Sequence, residues 1–287
     1  MKVFIMPNLS RKNALSCAID AIERLHALEV EILLDQKMQE TFSAFSFVRF
    51  LPFPEVIIAC DLVIAIGGDG TILHTAKYAV EQNKPVFGIN AGRLGFLAGL
   101  EITEMDRLAD LAAGNYTIEK RMMLKVIRQS ANGQEDVMYA LNDAVISKGG
   151  LAKIVDLDIF CGNEKVISHR ADGIIFSTPT GSTAYSLSAG GPVIDPAIDC
   201  ISMTPICSHS LLSRSTIFSD KTVLTVCAKV DEEHEAHLSV DGERGVRLED
   251  GDRILVEKSE IFVRFVKLVD KPFYEIMNEK ILEKMND

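Results

Sequence analysis

Hydrophobic positions in the first hundred residues follow two alternating rhythms. Short apolar runs stand at Val3 to Met6, Val30 to Leu34, Leu62 to Ile66 and Pro85 to Ile89, each the length of a buried strand. Between them the spacing changes. Leu15, Ala18, Ile19, Ile22 and Leu25 recur every three or four residues, which puts them on one helical face. Thr71 to Val80 reads as a second helix, and Thr103-x-x-Asp106 as the capped start of another. Strands apolar on both faces, separated by helices, predict a parallel sheet covered by helices. Residues 1–116 are therefore expected to form an α/β, Rossmann-like domain.

Beyond Tyr116 strand follows strand. The runs are Ile118 to Arg128, Val137 to Ser147, Ile154 to Phe160, Lys165 to His169 and Gly173 to Ser177, then Thr222 to Lys229, His237 to Val240, Arg253 to Glu257 and Ile261 to Leu268. Val155-Asp156-Leu157-Asp158-Ile159 alternates strictly, as a strand with one wet face does. Asn132-Gly133 and Gly162-Asn163 are favoured turn pairs between such runs. Residues 117–270 are predicted to be an all-β, layered, sandwich-like domain with one glycine-rich insertion. Phe273, Ile276, Met277, Ile281 and Leu282 then return to helical spacing, so residues 271–287 are expected to form a helix that docks back on the first domain.

Composition narrows the class. With 47% hydrophobic and 25% charged residues the chain has the balance of a globular enzyme. The nearest candidate for a membrane span, Val56 to Ile66, is cut by Asp61 and falls short of the roughly 18 apolar residues needed. Met1 to Pro7 is too short for a secretory signal and reads as a first strand. Six scattered cysteines with no Cys-x-x-Cys pair fit a reduced, cytoplasmic setting. A net charge of −11 sets the molecule's field against nucleic acid and anionic membrane, so neither is expected as a partner. That field also opposes any phosphorylated ligand, which must be held by local backbone N–H groups, a few cations and a divalent metal.

Three segments carry candidate chemistry. Gly67-Gly68-Asp69-Gly70-Thr71 follows a buried strand and precedes a helix. There glycines admit a phosphate close to the backbone, and the helix offers free N–H groups. An aspartate in such a loop suits a general base toward a hydroxyl, or a group reaching phosphate through Mg²⁺. A tight strand-to-helix turn has the same look, and Asp-Gly recurs at Asp172, Asp241 and Asp250. The second segment, Thr178-Pro179-Thr180-Gly181-Ser182-Thr183-Ala184-Tyr185-Ser186 continuing to Pro192, is dense in hydroxyls and glycines, which suits a polar phosphate-bearing ligand. A helix packed closely through small residues is the competing reading. The third is Asn142-Asp143, placed inside an apolar strand from Val137 to Ile146, where one of the two side chains faces inward and needs a partner. Isolated residues of these types also commonly end strands. His234-x-x-His237, His74, Lys120-Arg121 and Arg170 are left outside the site, the first pair because its acidic surroundings read as a solvated turn.

Together the three segments closely resemble the NAD kinases, over roughly Leu62 to Asp241. Gly-Gly-Asp-Gly alone is shared with diacylglycerol-type lipid kinases and phosphofructokinases, whereas the Thr178 to Pro192 block is specific. The resemblance implies a kinase moving the γ-phosphoryl of ATP, with Mg²⁺, onto the 2′-hydroxyl of the adenosine ribose of NAD to give NADP. It makes Asp69 the base and lines the phosphate loop with Gly67, Gly68, Gly70 and Thr71. Asn142 and Asp143 would hold the adenosine portion, and Asp172, Thr180, Thr183, Ala184 and Tyr185 the rest of the dinucleotide. Asp241 stands where the family keeps another acidic residue near the substrate. No residue is assigned directly to the metal. Many relatives carry Glu where this chain has Asp143, which shortens the arm that reaches the ribose. A homodimer or homotetramer is implied as well. Two alternatives stand beside this reading. A lipid kinase would need an apolar acyl-chain cleft and leaves the Thr178 to Pro192 block unexplained. A non-catalytic NAD(P)-binding sensor has no use for Asp69.

Overall fold

The computed structural model describes residues 1–287 apart from 93–94, 151–152, 210–212, 232, 269–271 and 287, with backbone alone for 280–286. The chain folds as two compact units, Met1–Lys120 with Val263–Asp287, and Arg121–Phe262. Among the described residues no helix is long and apolar enough to cross a membrane.

The first unit runs β1 (Lys2–Pro7), α1 (Ala14–Ala27), β2 (Glu31–Asp35), β3 (Arg49–Leu51), α2 (Phe53–Ala59), β4 (Leu62–Gly67), α3 (Asp69–Glu81), β5 (Val86–Asn90), β6 (Leu100–Glu101) and α4 (Leu108–Ala112). All pairings are parallel, in the order β3-β2-β1-β4-β5, with β6 beside β5. Every residue of β4 is buried, as its unbroken apolar run requires. The order reverses between β1 and β4. In such open sheets the crevice beyond the carboxyl ends of the strands at that reversal is where ligands bind.

The α/β expectation holds, with local corrections. On α1 the buried face is Ala14, Cys17, Ala18, Ala21, Ile22 and Leu25, while Leu15 points to solvent at 41% exposure and Ile19 is only partly buried. The predicted helix from Thr71 begins at Asp69, because the Gly68 carbonyl already accepts from the N–H groups of Thr71 and Ile72. The turn predicted from Thr103 is a 3₁₀ helix over Ile102–Arg107, entered where the Glu101 N–H donates to the Glu104 carboxylate at 3.0 Å. The short strand β3 has no periodic signal of its own.

The second unit contains most of β7 (Thr117–Gln129), then β8 (Glu135–Ala140), β9 (Asp143–Lys148), β10 (Val155–Cys161), β11 (Glu164–Ala171), β12 (Gly173–Ser177), α5 (Tyr185–Ser188), β13 (Cys200–Ile206), β14 (Thr216–Ser219), β15 (Leu224–Lys229), β16 (Ala236–Val240), β17 (Val246–Arg247) and the first part of β18 (Arg253–Lys267). One layer is a six-stranded antiparallel sheet, β14-β13-β12-β9-β16-β17. The strands β11, β10, β15 and β18 pair antiparallel in the other. Ala144, Ile146, Ile174, Phe176 and Leu238 of the first layer share one core with Leu157, Val226 and Ile254 of the second, so the unit is a layered β sandwich. The turn glycines Gly133 and Gly162 take the left-handed backbone that their turns require.

Two strand predictions need correction. Val137 to Ser147 is not one strand: β8 ends at Ala140, β9 starts at Asp143, and the two pair with different neighbours. Arg253 to Glu257 and Ile261 to Leu268 are instead a single strand, β18, which keeps its extended course through Lys258-Ser259-Glu260. Its far end returns to the first unit, where Phe265 pairs in parallel with Val86 of β5. The final helix α6 (Phe273–Asn286) belongs to that unit too, with the Phe273 ring 6.1 Å from Phe96. Ile281 and Leu282, placed on its apolar face by the sequence, have side chains outside the described residues.

Candidate functional site

One candidate site, in the first unit, lies at the carboxyl end of the parallel sheet. Asp69 is the first residue of α3, just past β4, so its carboxylate sits at the positive end of a 13-residue helix. Two backbone donors hold it: Phe96 N–H reaches Oδ2 at 2.9 Å and Leu97 N–H reaches Oδ1 at 3.1 Å. Gly95 precedes those donors, and a Cβ there would lie 2.1 Å from Asp69 Oδ1, so only glycine lets this loop close on the carboxylate.

Neighbouring side chains fix the loop from below. Asn8, which follows β1, donates from Nδ2 to Thr71 Oγ1 at 3.0 Å, joining the two strands at the order reversal. Asn90, fully buried at the end of β5, donates to the Glu101 carboxylate at 2.9 Å and accepts from the Gly92 N–H at 3.0 Å. Gly67, Gly68, Gly70 and Thr71 line the strand-to-helix passage, with Gly70 exposed. His74, one turn on, is an exposed helical side chain lying edge-on to Tyr78 at 5.0 Å.

The other candidate site, in the second unit, is built around the break between β8 and β9. Thr178, at the end of β12, donates from Oγ1 to the Leu141 carbonyl at 2.6 Å, and its N–H donates to the Asn142 carbonyl at 2.9 Å. The Gly181 N–H returns to Thr178 Oγ1 at 3.0 Å. A Cβ on Gly181 would stand 2.0 Å from the Asn142 carbonyl oxygen, so the Thr178 block and the Asn142-Asp143 pair are pressed together backbone to backbone. Thr180 to Thr183 form a 3₁₀ turn and α5 is a single turn after it, so this block is not the longer close-packed helix considered as its alternative.

Asp143 is 5% exposed and faces the same side of the sheet as Ser177, its partner across β12. Among the described residues its carboxyl makes no hydrogen bond. Burial, and then the negative charge of Asp241, push its pKa up to about 7. The Asn142 side chain is half-buried and likewise makes no hydrogen bond among the described residues. Two adjacent polar side chains with unmet hydrogen-bonding capacity are able to receive a polar ligand.

Thr180 is buried and accepts from the guanidinium of Arg121 at 3.1 Å; Arg121 is itself only 5% exposed. Thr183 and Ala184 are half-buried and Tyr185 is 47% exposed. Asp241 accepts from the backbone N–H groups of Leu141, Asn142 and Asp143 at 2.9, 2.7 and 3.0 Å. Asp172 is not brought to this cluster: it precedes β12, at the opposite end from Ser177, and pairs with Lys148 at 2.9 Å. Arg170 is a surface side chain facing Asp156 at 3.8 Å. His234 bonds to Asp231 at 2.8 Å.

Several contributors escape the sequence reading. The backbone donors of Phe96 and Leu97 leave no side-chain signature, although the glycines at 92, 95 and 99 just after a strand were a signal of one. Arg121, whose pairing with Lys120 in sequence suits phosphates and solvent equally, opens the buried stretch of β7. Asn8 and Asn90 stand at strand ends, the positions that point toward the crevice.

Comparison with known proteins matches both halves in order. Residues 3–116 match the ATP-NAD kinase N-terminal domain and residues 141–268 the ATP-NAD kinase C-terminal domain. The NAD kinase of Desulforamulus reducens is 43% identical over 230 residues, covering 79% of each chain. That of Carboxydothermus hydrogenoformans is 41% identical over 224 residues, 78% of this chain and 80% of the other. Among solved structures, yeast NADH kinase complexed with NADH superposes with a TM-score of 0.89 at 28% identity, over 97% of this chain and 86% of that one. An NAD kinase from Archaeoglobus fulgidus in complex with ATP gives 0.72 at 25% identity, over 97% and 98%. These matches take in the parallel-sheet loop with Asp69 and the sandwich with Asn142-Asp143 alike, and give no support to a lipid kinase or a sensor: the chain belongs to the NAD kinase family of phosphotransferases.

Proposed function

We propose that this protein transfers the γ-phosphoryl group of ATP to the 2′-hydroxyl of the adenosine ribose of NAD, giving NADP and ADP. The observation that carries the reading is Asp69, a carboxylate at a helix N-terminus, oriented by two backbone N–H groups. In the α/β domain, residues 1–116 with the helix of 271–287, the loop of Gly67, Gly68, Gly70 and Thr71 receives the phosphates on backbone N–H groups. Asp69 takes the proton of the 2′-hydroxyl as its oxygen bonds to the γ-phosphorus. The bond from that phosphorus to the bridging oxygen breaks, and ADP leaves. Removal of the proton in this way is worth about 10²- to 10⁴-fold in rate.

The β-rich domain, residues 117–270, holds NAD. The Asn142 amide and Asp143 carboxyl engage the adenosine portion, Thr180, Thr183, Ala184 and Tyr185 line the dinucleotide path, and Asp241 lies behind Asn142 and Asp143, while Asp172, at the far end of β12, has no part in it. Ribose hydroxyls donating to Asp143 would favour its ionised form over the protonated one that burial imposes. The yeast neighbour's complex with NADH and the archaeal neighbour's complex with ATP support these two substrates.

Among the described residues no group of three or more His, Cys, Asp or Glu side chains is placed to hold a metal ion. Asp69, at the phosphate loop, is the protein carboxylate that would approach Mg²⁺ carried on the ATP phosphates. Bound there, Mg²⁺ offsets phosphate charge that a protein of net charge −11 does not neutralise as a whole. Cytoplasmic residence is part of the same proposal, supported by six free thiols, Cys17, Cys60 and Cys200 among them buried. So is assembly as a homodimer or homotetramer, supported by the exposed apolar side chains Leu187, Val193 and Ile198 of the second unit.

The test is NADP formation by the purified chain from NAD, ATP and Mg²⁺. Turnover is expected. A folded protein that makes no NADP with any phosphoryl donor would overturn the proposal.

A further inference from the structure

We infer that Asp241 is a positioning residue, which acts through the backbone of Leu141-Asn142-Asp143 rather than by touching the dinucleotide. The inference rests on the reading above, that Asn142 and Asp143 bind NAD.

The geometry is over-determined. At residues 141 and 142 the chain has left β8 and not yet entered β9, so its N–H groups there have no ladder partner. One carboxylate supplies them all, accepting from residues 141, 142 and 143 at 2.7 to 3.0 Å across about a hundred positions of sequence. Its own backbone completes the clasp, the Asp241 N–H donating to the Asp143 carbonyl at 2.9 Å. Asp241 does this from a left-handed backbone, φ +50°, with Gly242 following at φ +73°. Aspartate is among the few side chains that tolerate that region, and the turn has to pass through it to aim the carboxylate at the break. The other face of the break is closed by Thr178 and Gly181. Held from both sides, the bend presents the Asn142 amide and the Asp143 carboxyl together.

The same placement gives Asp241 an electrostatic role. It is the charged group that faces Asp143. β12 presents the neutral Ser177, Thr178 turns its hydroxyl to Leu141, and the buried cation Arg121 of β7 is bonded to Thr180. Asp241 therefore keeps Asp143 protonated to higher pH, and NAD binding strengthens as pH rises through the region where Asp143 ionises.

The test compares wild type with Asp241→Asn and Asp143→Asn in the full chain. An asparagine has one acceptor oxygen and turns an NH₂ toward N–H donors, so the clasp opens without a change of size. Amide hydrogen exchange at Leu141, Asn142 and Asp143 is expected to speed up by about tenfold or more in Asp241→Asn. The KM for NAD should rise about tenfold or more with kcat changed less than about threefold, the pattern of lost binding rather than lost chemistry. The inflection of kcat/KM for NAD should move to lower pH in Asp241→Asn and vanish in Asp143→Asn, which a merely structural role would not produce. Unchanged exchange at the three amides, or a loss of kcat at constant KM, would overturn the inference. Should the wild type make no NADP, the proposed function fails on its own, and the exchange comparison with calorimetric titration of NAD still decides the role of Asp241.

Discussion

Asp69 and Asp143 are both acidic residues at the end of a strand, one just past β4 and one at the start of β9, and the two units treat them in opposite ways. In the first unit Asp69 is half-buried, and two backbone N–H groups orient its carboxylate before any substrate arrives. In the second unit Asp143 is almost fully buried, makes no hydrogen bond among the described residues, and has another aspartate for its charged neighbour. A preorganised acceptor is what a proton transfer needs, since reorientation at the moment of reaction costs rate. A largely desolvated carboxyl without a hydrogen-bond partner suits selective binding, because donors from a ligand stabilise its anion where the protein alone does not. Under the proposed function, the contrast puts chemistry in the parallel-sheet unit and recognition in the sandwich.

The largest expected effect that would sharpen this contrast is Asp69→Asn, which should lower kcat by about 10²- to 10⁴-fold in an NADP-formation assay. Gly95→Ala comes next. Its Cβ would displace the Asp69 carboxylate, and a misplacement of about 1 Å costs about 10²-fold in kcat, while KM for NAD stays near its starting value. Gly181→Ala strikes the other unit. Forcing a methyl group against the Asn142 carbonyl should destabilise the fold by about 1–3 kcal/mol in denaturant melts and raise KM for NAD ahead of any change in kcat. If the two glycine variants gave the same kinetic signature, the division of labour would fail.

Stability against pH separates two further groups of the sandwich. His169, 1% exposed, is held below its ordinary pKa of 6.5 by burial, so the unfolded chain takes up the extra proton and stability falls as pH drops below about 6.5. Asp143 works the other way. Its pKa rises from 3.8 to about 7, so its contribution is full below 3.8 and is lost as pH rises through 7. Asp143→Asn should leave a melting profile that weakens toward acid more plainly than the wild type, and His169→Gln one that weakens toward neutral pH. The smallest effect is expected of His74→Ala, an exposed helical side chain, which should leave turnover and Tm essentially unchanged.

The parallel sheet was legible because each of its main strands is apolar on both faces and the helices between them carry their own period. The turn from Gly67 to Thr71 was legible for the same reason, as glycines interrupting that rhythm. What stayed hidden depended on long-range partners. The strand Cys200–Ile206 reads as mixed polarity because Ser202 and Thr204 are buried on the face opposite the core, where Thr204 meets Ser186 at 3.1 Å instead of solvent. The break at Leu141-Asn142 lies between two apolar runs, and nothing local announces it, since the carboxylate that stabilises it comes from Asp241. The donors to Asp69 are backbone groups, which a pattern of side chains does not reveal. Asp172 looked equivalent to the other site residues by motif, yet the length of β12 stands between it and the Thr178 block.

The most direct test of the division between the two units is calorimetric titration of NAD into Asp69→Asn. The account predicts a Kd within about threefold of wild type in a protein that has lost turnover, the mark of an interaction made only in the transition state. If NAD affinity fell together with turnover, Asp69 would be part of the recognition surface, and the separation of chemistry from binding would be wrong.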